Sequence, residues 1–304
     1  MKSEKTTTEL IEMFLQDQDV NNLSRREYKI YLKRWLFYCV CQKIDVRNPR
    51  RADVIAYKSF LQKQGKAVCT VDIYLSTVKR YFGWLEDQGI YSNIAAGVHS
   101  PKRYKGHRKG YLHPDQVTAM LNKMPKVTII DLRNFAIVNM MVRSGIRRIE
   151  LQRMNVGDLK VIEGNPIVKL QRKGRVEKDS NLGLTCKIVD PINDYLCLRE
   201  SANDNEPMFI NHCHFHSNQR ISVITISRII KKALKNVGVD DSRITAHSLR
   251  HTAAITALRA GASLLDVQQM LGHSSMETTR LYLTAIDEEL KLNNPAIHSL
   301  DDSF

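Results

Sequence analysis

Apolar residues recur at intervals of three and four through the first hundred positions, and this spacing predicts four amphipathic helices. Ser24 is the expected N-cap of the second helix, the third follows Pro49 and stops at Gly65, and the fourth spans residues 71–88. The aromatic residues in these helices lie on the apolar faces and are expected to form a core: Phe14, Tyr28, Tyr31, Trp35, Tyr57, Phe60, Tyr81 and Phe82.

After residue 110 the pattern predicts helices at residues 131–143 and 149–154, separated at Gly145. Between residues 158 and 190 short β-branched runs alternate with turn residues. This pattern predicts three strands, at 160–162, at 167–170 and towards Ile188 and Val189. The fold class is therefore mainly α with a small antiparallel β-sheet.

Further helices follow the strands, at residues 192–199, 225–237, 248–260 and 263–271. The last helix begins after Gly272, where Ser274 and Glu277 have the spacing of a capping box. The chain after residue 285 has scattered apolar residues and is too short to form a core of its own. It is interpreted as a C-terminal tail, residues 286–304.

Residues 99–110 contain five Lys and Arg residues, no acidic residue, one Pro and two Gly. This composition does not suit a helix and indicates a linker between a first domain, residues 1–98, and a second, residues 111–285. A soluble tether is the alternative. Charge of this density favours contact with a sugar-phosphate backbone through Lys102, Arg103, Lys105, Arg108 and Lys109.

The net charge of +14 is concentrated in the first part of the chain. Residues 1–110 hold 21 Lys and Arg against 11 Asp and Glu, a net charge of +10. Such asymmetry indicates a polyanionic partner, and nucleic acid is favoured over membrane because no basic amphipathic anchor or lipidation signal is present. Beside the linker, the expected contact residues, which could alternatively form a solvated face, are Arg25, Arg26, Lys29, Lys66, Lys79 and Arg80.

The sequence has no run of 18 apolar residues and no apolar stretch after its polar N-terminus, so neither a membrane span nor a secretory signal is expected. Six scattered cysteines are typical of the reduced thiols of a cytosolic protein. The segment from His212 to His216 alternates His and Cys, which could bind zinc. A second ligand pair is missing from its neighbourhood, so a polar loop is the favoured interpretation.

Two histidines, an arginine and a tyrosine follow one another in the last third of the chain: His247, Arg250, His273 and Tyr282. This set suits attack on a phosphodiester, which needs a nucleophile and cations around a phosphorus whose oxygens carry the charge. A tyrosine can be that nucleophile and form a covalent intermediate. Each short motif alone occurs by chance in many proteins, and the order and spacing carry the argument.

Together with Arg147 after Ser144-Gly145-Ile146, and Lys173 in a strand turn, these motifs resemble the tyrosine recombinase (phage integrase) family over nearly the whole chain. The resemblance implies a helical core-binding domain and a mixed α/β catalytic domain that form a C-shaped DNA clamp. It implies a homotetramer on double-stranded DNA, a monomer or dimer when free, and a tail that docks on a neighbouring protomer. It implies no metal or other cofactor and a bacterial cytoplasmic enzyme, nucleoid-associated when bound; accessory DNA-bending or directionality proteins are left open.

The resemblance also implies residue roles. Tyr282 would attack the phosphorus and leave a 3′-phosphotyrosine and a free 5′-hydroxyl. Arg147 and Arg250 would bind the non-bridging oxygens, since a planar guanidinium can do so with two donors. His247, three residues before Arg250, would exchange a proton with Tyr282. His273 would donate a hydrogen bond to the phosphate.

Two further roles have alternatives. Glu150 matches a supporting acidic position, but it could be only a surface ion-pair partner of Arg147. Lys173 would protonate the leaving 5′-oxygen, and Lys178 on the same hairpin competes with it. Arg148 could bind the phosphate in place of Arg147, but the Gly-Ile-Arg register favours Arg147. Tyr111 and Tyr195 compete for the role of nucleophile, but neither follows a Gly-His-Ser helix break. His251 is interpreted as structural.

The expected function is site-specific DNA cleavage and rejoining for integration or excision of a mobile element. Resolution of chromosome or plasmid dimers, as in Xer-like enzymes, is the alternative within the family. A type IB topoisomerase is disfavoured by the small size and the short tail after Tyr282, and a catalytically silent DNA-binding protein by the intact residue set. The chain begins directly with the core-binding helices, so no extra arm-site DNA-binding domain is expected.

Overall fold

A computed structural model of the chain describes residues 6–101, 110–199, 202–212, 218–241 and 243–292, with side chains as far as residue 287. The chain divides into two compact units, Met1–Lys105 and Gly106–Phe304. Each unit has its own hydrophobic core. The described residues form α-helices and one three-stranded antiparallel sheet, which confirms the predicted fold class.

The described part of the first unit contains four helices: α1 Thr7–Asp17, α2 Asn22–Cys41, α3 Arg51–Lys63 and α4 Val68–Asp87. Their apolar faces meet around aromatic rings. Phe14 lies edge-on to Tyr81 and Trp84, with ring centroids 5.5 and 5.8 Å away, and Trp35 lies edge-on to Tyr57 at 5.1 Å. All five side chains are buried, and they form part of the core of the unit. The sequence predicts this position for all of them except Trp84.

The second unit contains the remaining helices: α5 Pro114–Lys123, α6 Ile129–Ser144, α7 Arg148–Arg153, α8 Cys186–Cys197, α9 Val223–Lys235, α10 Ala246–Arg259, α11 Leu264–Leu271 and α12 Met276–Leu292. Helix α10 packs against α6, α9, α11 and α12, and it is therefore a central helix of the unit. Helix α5 was not predicted from the sequence. No described helix combines the length and apolar character needed to cross a membrane.

The sheet consists of β1 Leu159–Ile162, β2 Asn165–Leu170 and β3 Ser180–Gly183, in the order β1-β2-β3. All neighbours are antiparallel. Val168 at the centre of the sheet lies opposite Leu159 on one side and Leu182 on the other. The segment between β2 and β3 forms the hairpin that carries Lys173.

The predicted third strand, towards Ile188 and Val189, is wrong. Ile188 lies in α8 and is buried on one helical face with Ile192 and Tyr195. Its β-branched neighbour made the segment resemble a strand, whereas the spacing of four and three to Ile192 and Tyr195 is helical. The true third strand has Leu182 as its one large apolar residue, so its sequence gives little strand signal.

The N-terminal caps of two helices also differ from the predictions. Helix α2 begins one turn early, because Asn21 caps it and accepts a hydrogen bond from the Ser24 amide at 2.9 Å. Ser24 is therefore a residue of the first turn and not the cap. At α12 the hydroxyl of Ser275, not Ser274, accepts the hydrogen bond of the Glu277 amide, at 3.2 Å.

Candidate active site

An open cavity of about 780 Å³ in the second unit is lined by all six residues predicted to be catalytic. They come from five parts of the unit: the start of α7, the β2–β3 hairpin, α10, the α11–α12 corner and α12. The six residues are Arg147, Lys173, His247, Arg250, His273 and Tyr282. Arg172, Arg175 and His251 also contribute to the wall.

Arg147 enters the cavity because α6 ends sharply at Gly145. This glycine has a φ of 65°, and a Cβ on it would lie 2.6 Å from the Leu271 side chain, so only glycine fits the turn. Arg147 is the N-cap of α7. Its amide donates to Glu150 Oε2 at 3.0 Å and its Nη1 donates to Glu150 Oε1 at 2.7 Å. The Arg-x-x-Glu spacing therefore ties the arginine to the first turn of α7.

Glu150 is fully buried, so the alternative of a surface ion pair is wrong. A buried carboxylate needs charged or hydrogen-bonding partners, and Glu150 has two arginines. Arg147 lies at 2.7 Å and Arg172 Nη1 at 3.4 Å. Glu150 thus links the α7 arginine to the hairpin that carries Lys173.

Arg250 lies in α10 and is 1% exposed. Its Nη1 donates to the Gly145 carbonyl at 2.8 Å and its Nη2 to the Leu271 carbonyl at 2.7 Å, which joins the ends of α6 and α11. Burial, reinforced by the charge of Arg147, lowers the pKa of Arg250 to about 10. The guanidinium is therefore still cationic at neutral pH. Its Nε is buried and has no hydrogen-bond partner in the described structure.

Two histidine rings lie beside the predicted nucleophile. Tyr282 is 3% exposed, and its ring centroid lies 5.3 Å from that of His251 and 6.1 Å from that of His273. The His251 ring in turn contacts that of His247 at 4.7 Å. His251, interpreted from sequence as structural, thus contacts the rings of both His247 and Tyr282. Burial raises the pKa of Tyr282, against the opposing charges of Arg250 and Arg147.

His273 follows Gly272, which ends α11 in the left-handed conformation with a φ of 62°. Burial and the positive charges of Arg250 and Arg147 lower the pKa of His273 to about 4, so the imidazole is neutral at pH 7. Its Nδ1 lies 2.9 Å from the hydroxyl of Thr279, a fully buried residue. Thr279 was not predicted from the sequence, where its one signal is its place one helical turn before Tyr282.

Arg172 is the second residue that the sequence analysis missed. It is 6% exposed and lines the cavity beside Arg147 and Arg250. Burial lowers the pKa of Arg172, and Glu150 opposes the shift. Three guanidinium groups around one carboxylate leave a surplus of positive charge, which suits an anionic ligand. From the sequence Arg172 looked like one more charge of an exposed hairpin.

The two competing lysines of the hairpin are placed differently. Lys173 is exposed at the cavity, in a turn where Gly174 has a φ of 85°. Lys178 instead forms an ion pair with Asp158, and not with either acidic neighbour in its own segment. Lys173 therefore lines the cavity, and Lys178 does not.

The other positions named from sequence lie elsewhere. In the first unit Lys29 pairs with Glu12 at 2.5 Å and Arg80 donates to the Tyr28 hydroxyl at 2.6 Å. Arg25 and Arg26 lie in α2, Lys79 lies in α4, and Lys66 lies in the segment between α3 and α4. His212 contacts the Tyr195 hydroxyl at 3.0 Å. The rest of its cluster lies outside the described residues, as do Lys102, Arg103, Lys105, Arg108 and Lys109. Within the described ranges no group of three His, Cys, Asp or Glu side chains is placed to hold a metal ion.

The chain is similar to known recombinases over most of its length. The model of the phage integrase family matches residues 110–289. Tyrosine recombinase XerC of Thermodesulfovibrio yellowstonii is 32% identical over 77% of this chain and 78% of the relative. Tyrosine recombinase XerD of Listeria monocytogenes is 29% identical over 93% and 96% of the two chains.

A solved structure shows the same fold. The crystal structure of XerH site-specific recombinase bound to palindromic difH substrate has a TM-score of 0.70 at 17% identity, over 91% of this chain and 80% of that one. The family match covers more than half of the chain, and the XerC relative exceeds 30% identity. The chain therefore belongs to the phage integrase family and is a tyrosine recombinase.

Proposed function

We propose that the protein cleaves and rejoins double-stranded DNA at a specific sequence through a 3′-phosphotyrosine on Tyr282. The observation that carries this proposal is the convergence of Tyr282 with Arg147, His247, Arg250 and His273 on one open cavity. A phosphodiester bound there would meet a nucleophile and guanidinium donors together. The same convergence counts against a catalytically silent DNA-binding protein, since drift would be expected to remove some of the set.

In the proposed cleavage step the Tyr282 hydroxyl oxygen bonds to phosphorus and the bond from phosphorus to the 5′-oxygen breaks. The phenol proton passes to His247, and the 5′-oxygen takes a proton from Lys173. Burial raises the pKa of Tyr282, so a free phenolate is not available at neutral pH and proton transfer has to accompany the attack. Rejoining is the same step in reverse.

The charge of the transition state would be held by Arg147 and Arg250, with His273 as a neutral donor. Donors fixed before the reaction stabilise developing charge without reorganisation. Arg147 is fixed by Glu150, and Arg250 by two backbone carbonyls. If the Thr279 hydroxyl donates to His273 Nδ1, the ring proton resides on Nε2, where it is free to reach a phosphate oxygen.

The two units of the chain receive separate roles in this proposal. The helical segment, residues 1–98, serves as the core-binding domain, residues 99–110 as a DNA-contacting linker and residues 111–285 as the catalytic domain. Four copies assemble on two duplexes, and the tail at residues 286–304 docks on a neighbouring protomer. The excess of positive charge in residues 1–110 supports the first two assignments.

Two biological outcomes are compatible with this chemistry, integration or excision of a mobile element and resolution of chromosome or plasmid dimers. The second is favoured by one observation, the similarity to proteins named XerC and XerD over as much as 93% of this chain. Mapping the cleaved site in the source genome separates them. Element ends at the site indicate integration or excision, and a single chromosomal or plasmid site without an element indicates resolution.

Lys173→Ala is expected to cleave ordinary DNA slowly, because the departing 5′-oxygen loses its proton donor. General acid catalysis typically contributes about 100-fold to 10,000-fold. The variant should recover on a substrate whose 5′-bridging oxygen is replaced by sulfur, since a thiolate leaves without a proton. Single-turnover cleavage of the two substrates measures both effects.

Lys178→Ala is the matched control, because Lys178 lies on the same hairpin and is paired with Asp158, so it does not line the cavity. It should show neither the loss nor the rescue. Rescue confined to Lys178→Ala would mean that the roles of the two lysines are exchanged.

Neutralising the five basic residues of the linker should weaken binding to all DNA sequences alike. Each phosphate contact contributes about 0.9 to the slope of log affinity against log salt concentration, so the slope should become shallower. Titration at several salt concentrations measures it. Lys235→Gln is a control, because Lys235 is exposed and paired with Asp240. An unchanged slope in the linker variant would show that the linker is a tether only.

A further inference from the structure

Arg172 has a different environment from the residues that follow it. It comes two residues after the end of β2 and is 6% exposed, whereas Lys173, Gly174 and Arg175 are all exposed. A long cationic side chain is rarely buried without partners, because removing the charge from water is costly. The chain therefore turns back at this point with one arginine fixed inside the unit and its neighbours outside.

Every nitrogen of the Arg172 guanidinium has a partner. Nε donates to the Ser180 hydroxyl at 3.1 Å, at the start of β3. Nη1 lies 3.4 Å from Glu150 and 3.2 Å from the Leu271 carbonyl, and Nη2 lies 3.3 Å from the Met270 carbonyl. One side chain thus joins the two strands of the hairpin to α7 and to the end of α11.

The end of α11 is a suitable anchor. The last carbonyls of a helix lack partners within the helix and carry the negative end of its dipole. A guanidinium placed there donates hydrogen bonds to these carbonyls and brings a favourable positive charge to the dipole. The Leu271 carbonyl accepts from Arg250 Nη2 as well, at 2.7 Å. A Cβ on Gly272 would lie 2.7 Å from Arg172 Cζ, so the absence of a side chain there lets the guanidinium approach. Arg172 and Arg250, the arginine predicted to bind phosphate, therefore both donate to the Leu271 carbonyl oxygen.

Hydrogen bonds within the turn fix the position of the Lys173 backbone relative to Arg172. The Arg175 amide donates to the Arg172 carbonyl at 3.1 Å, and Gln171 Nε2 donates to the Arg175 carbonyl at 2.9 Å. Lys173 is thus the first central residue of a closed turn, between Arg172, which is held inside, and Gly174. Because the turn is short, the place of the Lys173 backbone is set by where Arg172 is fixed.

We propose that Arg172 is a positioning residue, whose guanidinium fixes the β2–β3 turn to the end of α11 and so places Lys173 beside the departing 5′-oxygen. The inference rests on the role proposed above for Lys173. It gives Arg172 no contact with DNA, and it links the proton donor to the same helix end that orients Arg250. A misplacement of about 1 Å in a reacting group can cost about 100-fold in rate.

Arg172→Gln should therefore cleave ordinary DNA between about tenfold and 100-fold more slowly than the wild type. On the substrate with 5′-bridging sulfur its rate should return close to the wild-type rate, because the missing proton no longer matters. Arg172→Lys, which keeps the charge and loses the fork of donors, should behave in the same way. The double variant Arg172→Gln with Lys173→Ala should be no slower than Lys173→Ala alone. Single-turnover kinetics on both substrates, with circular dichroism to verify folding, measures all four variants.

Lys178→Gln is the control for the loss of one positive charge from the hairpin and should cleave both substrates as the wild type does. If Arg172→Lys folds and is slow on both substrates alike, or the double variant is slower than Lys173→Ala, Arg172 acts otherwise and the inference is overturned. If Arg172→Gln and Arg172→Lys are not rescued while Lys173→Ala is, only this inference is wrong. If Lys173→Ala itself is not rescued, the proposed role of Lys173 is wrong and the inference is overturned with it.

Discussion

Tyr282→Phe is expected to abolish the covalent protein–DNA adduct and to leave DNA affinity near that of the wild type. The substitution removes one hydroxyl oxygen from a ring that is otherwise buried among His251 and His273. Loss of a catalytic nucleophile costs on the order of a million-fold in rate. A denaturing gel with labelled DNA measures the adduct, and a native binding assay measures affinity.

Tyr111→Phe is the matched control for this experiment. Tyr111 was a competitor for the nucleophile, and in the structure its hydroxyl accepts a hydrogen bond from Arg259 Nη2 at 3.1 Å. The control should form adduct normally. Wild-type adduct from Tyr282→Phe, or loss of adduct in Tyr111→Phe alone, would remove Tyr282 from the mechanism.

Arg250→Lys should fail almost as badly as Arg250→Ala, although it keeps the positive charge. Arg250 holds the carbonyls of Gly145 and Leu271 with two different nitrogens, and a lysine ammonium cannot reproduce this planar fork. Loss of one donor to the transition state typically costs about 3 kcal/mol, or a hundredfold to a thousandfold in rate. Single-turnover cleavage measures the rate.

Stability has to be measured beside the rate, because Arg250→Ala leaves the Gly145 carbonyl without its donor and the Leu271 carbonyl with Arg172 as its remaining side-chain donor. A buried group left unsatisfied costs about 1–3 kcal/mol. Urea unfolding gives that cost separately. Arg148→Lys is the control, since Arg148 contacts Ser227 on α9 and is not part of the cavity wall. Cleavage by Arg250→Lys at a rate near that of the wild type would contradict the role of the guanidinium.

The sequence predicted which residues line the cavity better than it predicted which side chains hold them in place. Helix breaks at Gly145 and Gly272 are visible in the sequence, and they bring Arg147 and His273 to the same cavity. The burial of Glu150 was not predictable, because its second partner, Arg172, lies in the β2–β3 hairpin more than twenty residues away in the sequence. Thr279 was likewise missed, since its contact with His273 depends on the angle between α11 and α12.

The fold was predictable where periodicity was strong. The four helices of the first unit follow from their apolar stripes, and their starts depend on caps such as Asn21 that compete with nearby polar residues. The third strand was misplaced because Leu182 alone marks it, while Ile188 and Val189 carry a local β preference that burial of one helical face overrides. Tertiary packing decides whether such short segments form a strand or a helix.

The central claim is that Tyr282 forms a 3′-phosphotyrosine at a specific DNA sequence. Its most direct measurement incubates the protein with DNA from its own genomic neighbourhood, isolates the covalent adducts, identifies the linked residue by mass spectrometry and sequences the attached strands. The account predicts one linked residue, Tyr282, attached through a 3′-phosphate, a free 5′-hydroxyl on the other strand end and one recurrent sequence. A link to another residue, a 5′-phosphate link or adducts scattered without sequence preference would contradict it.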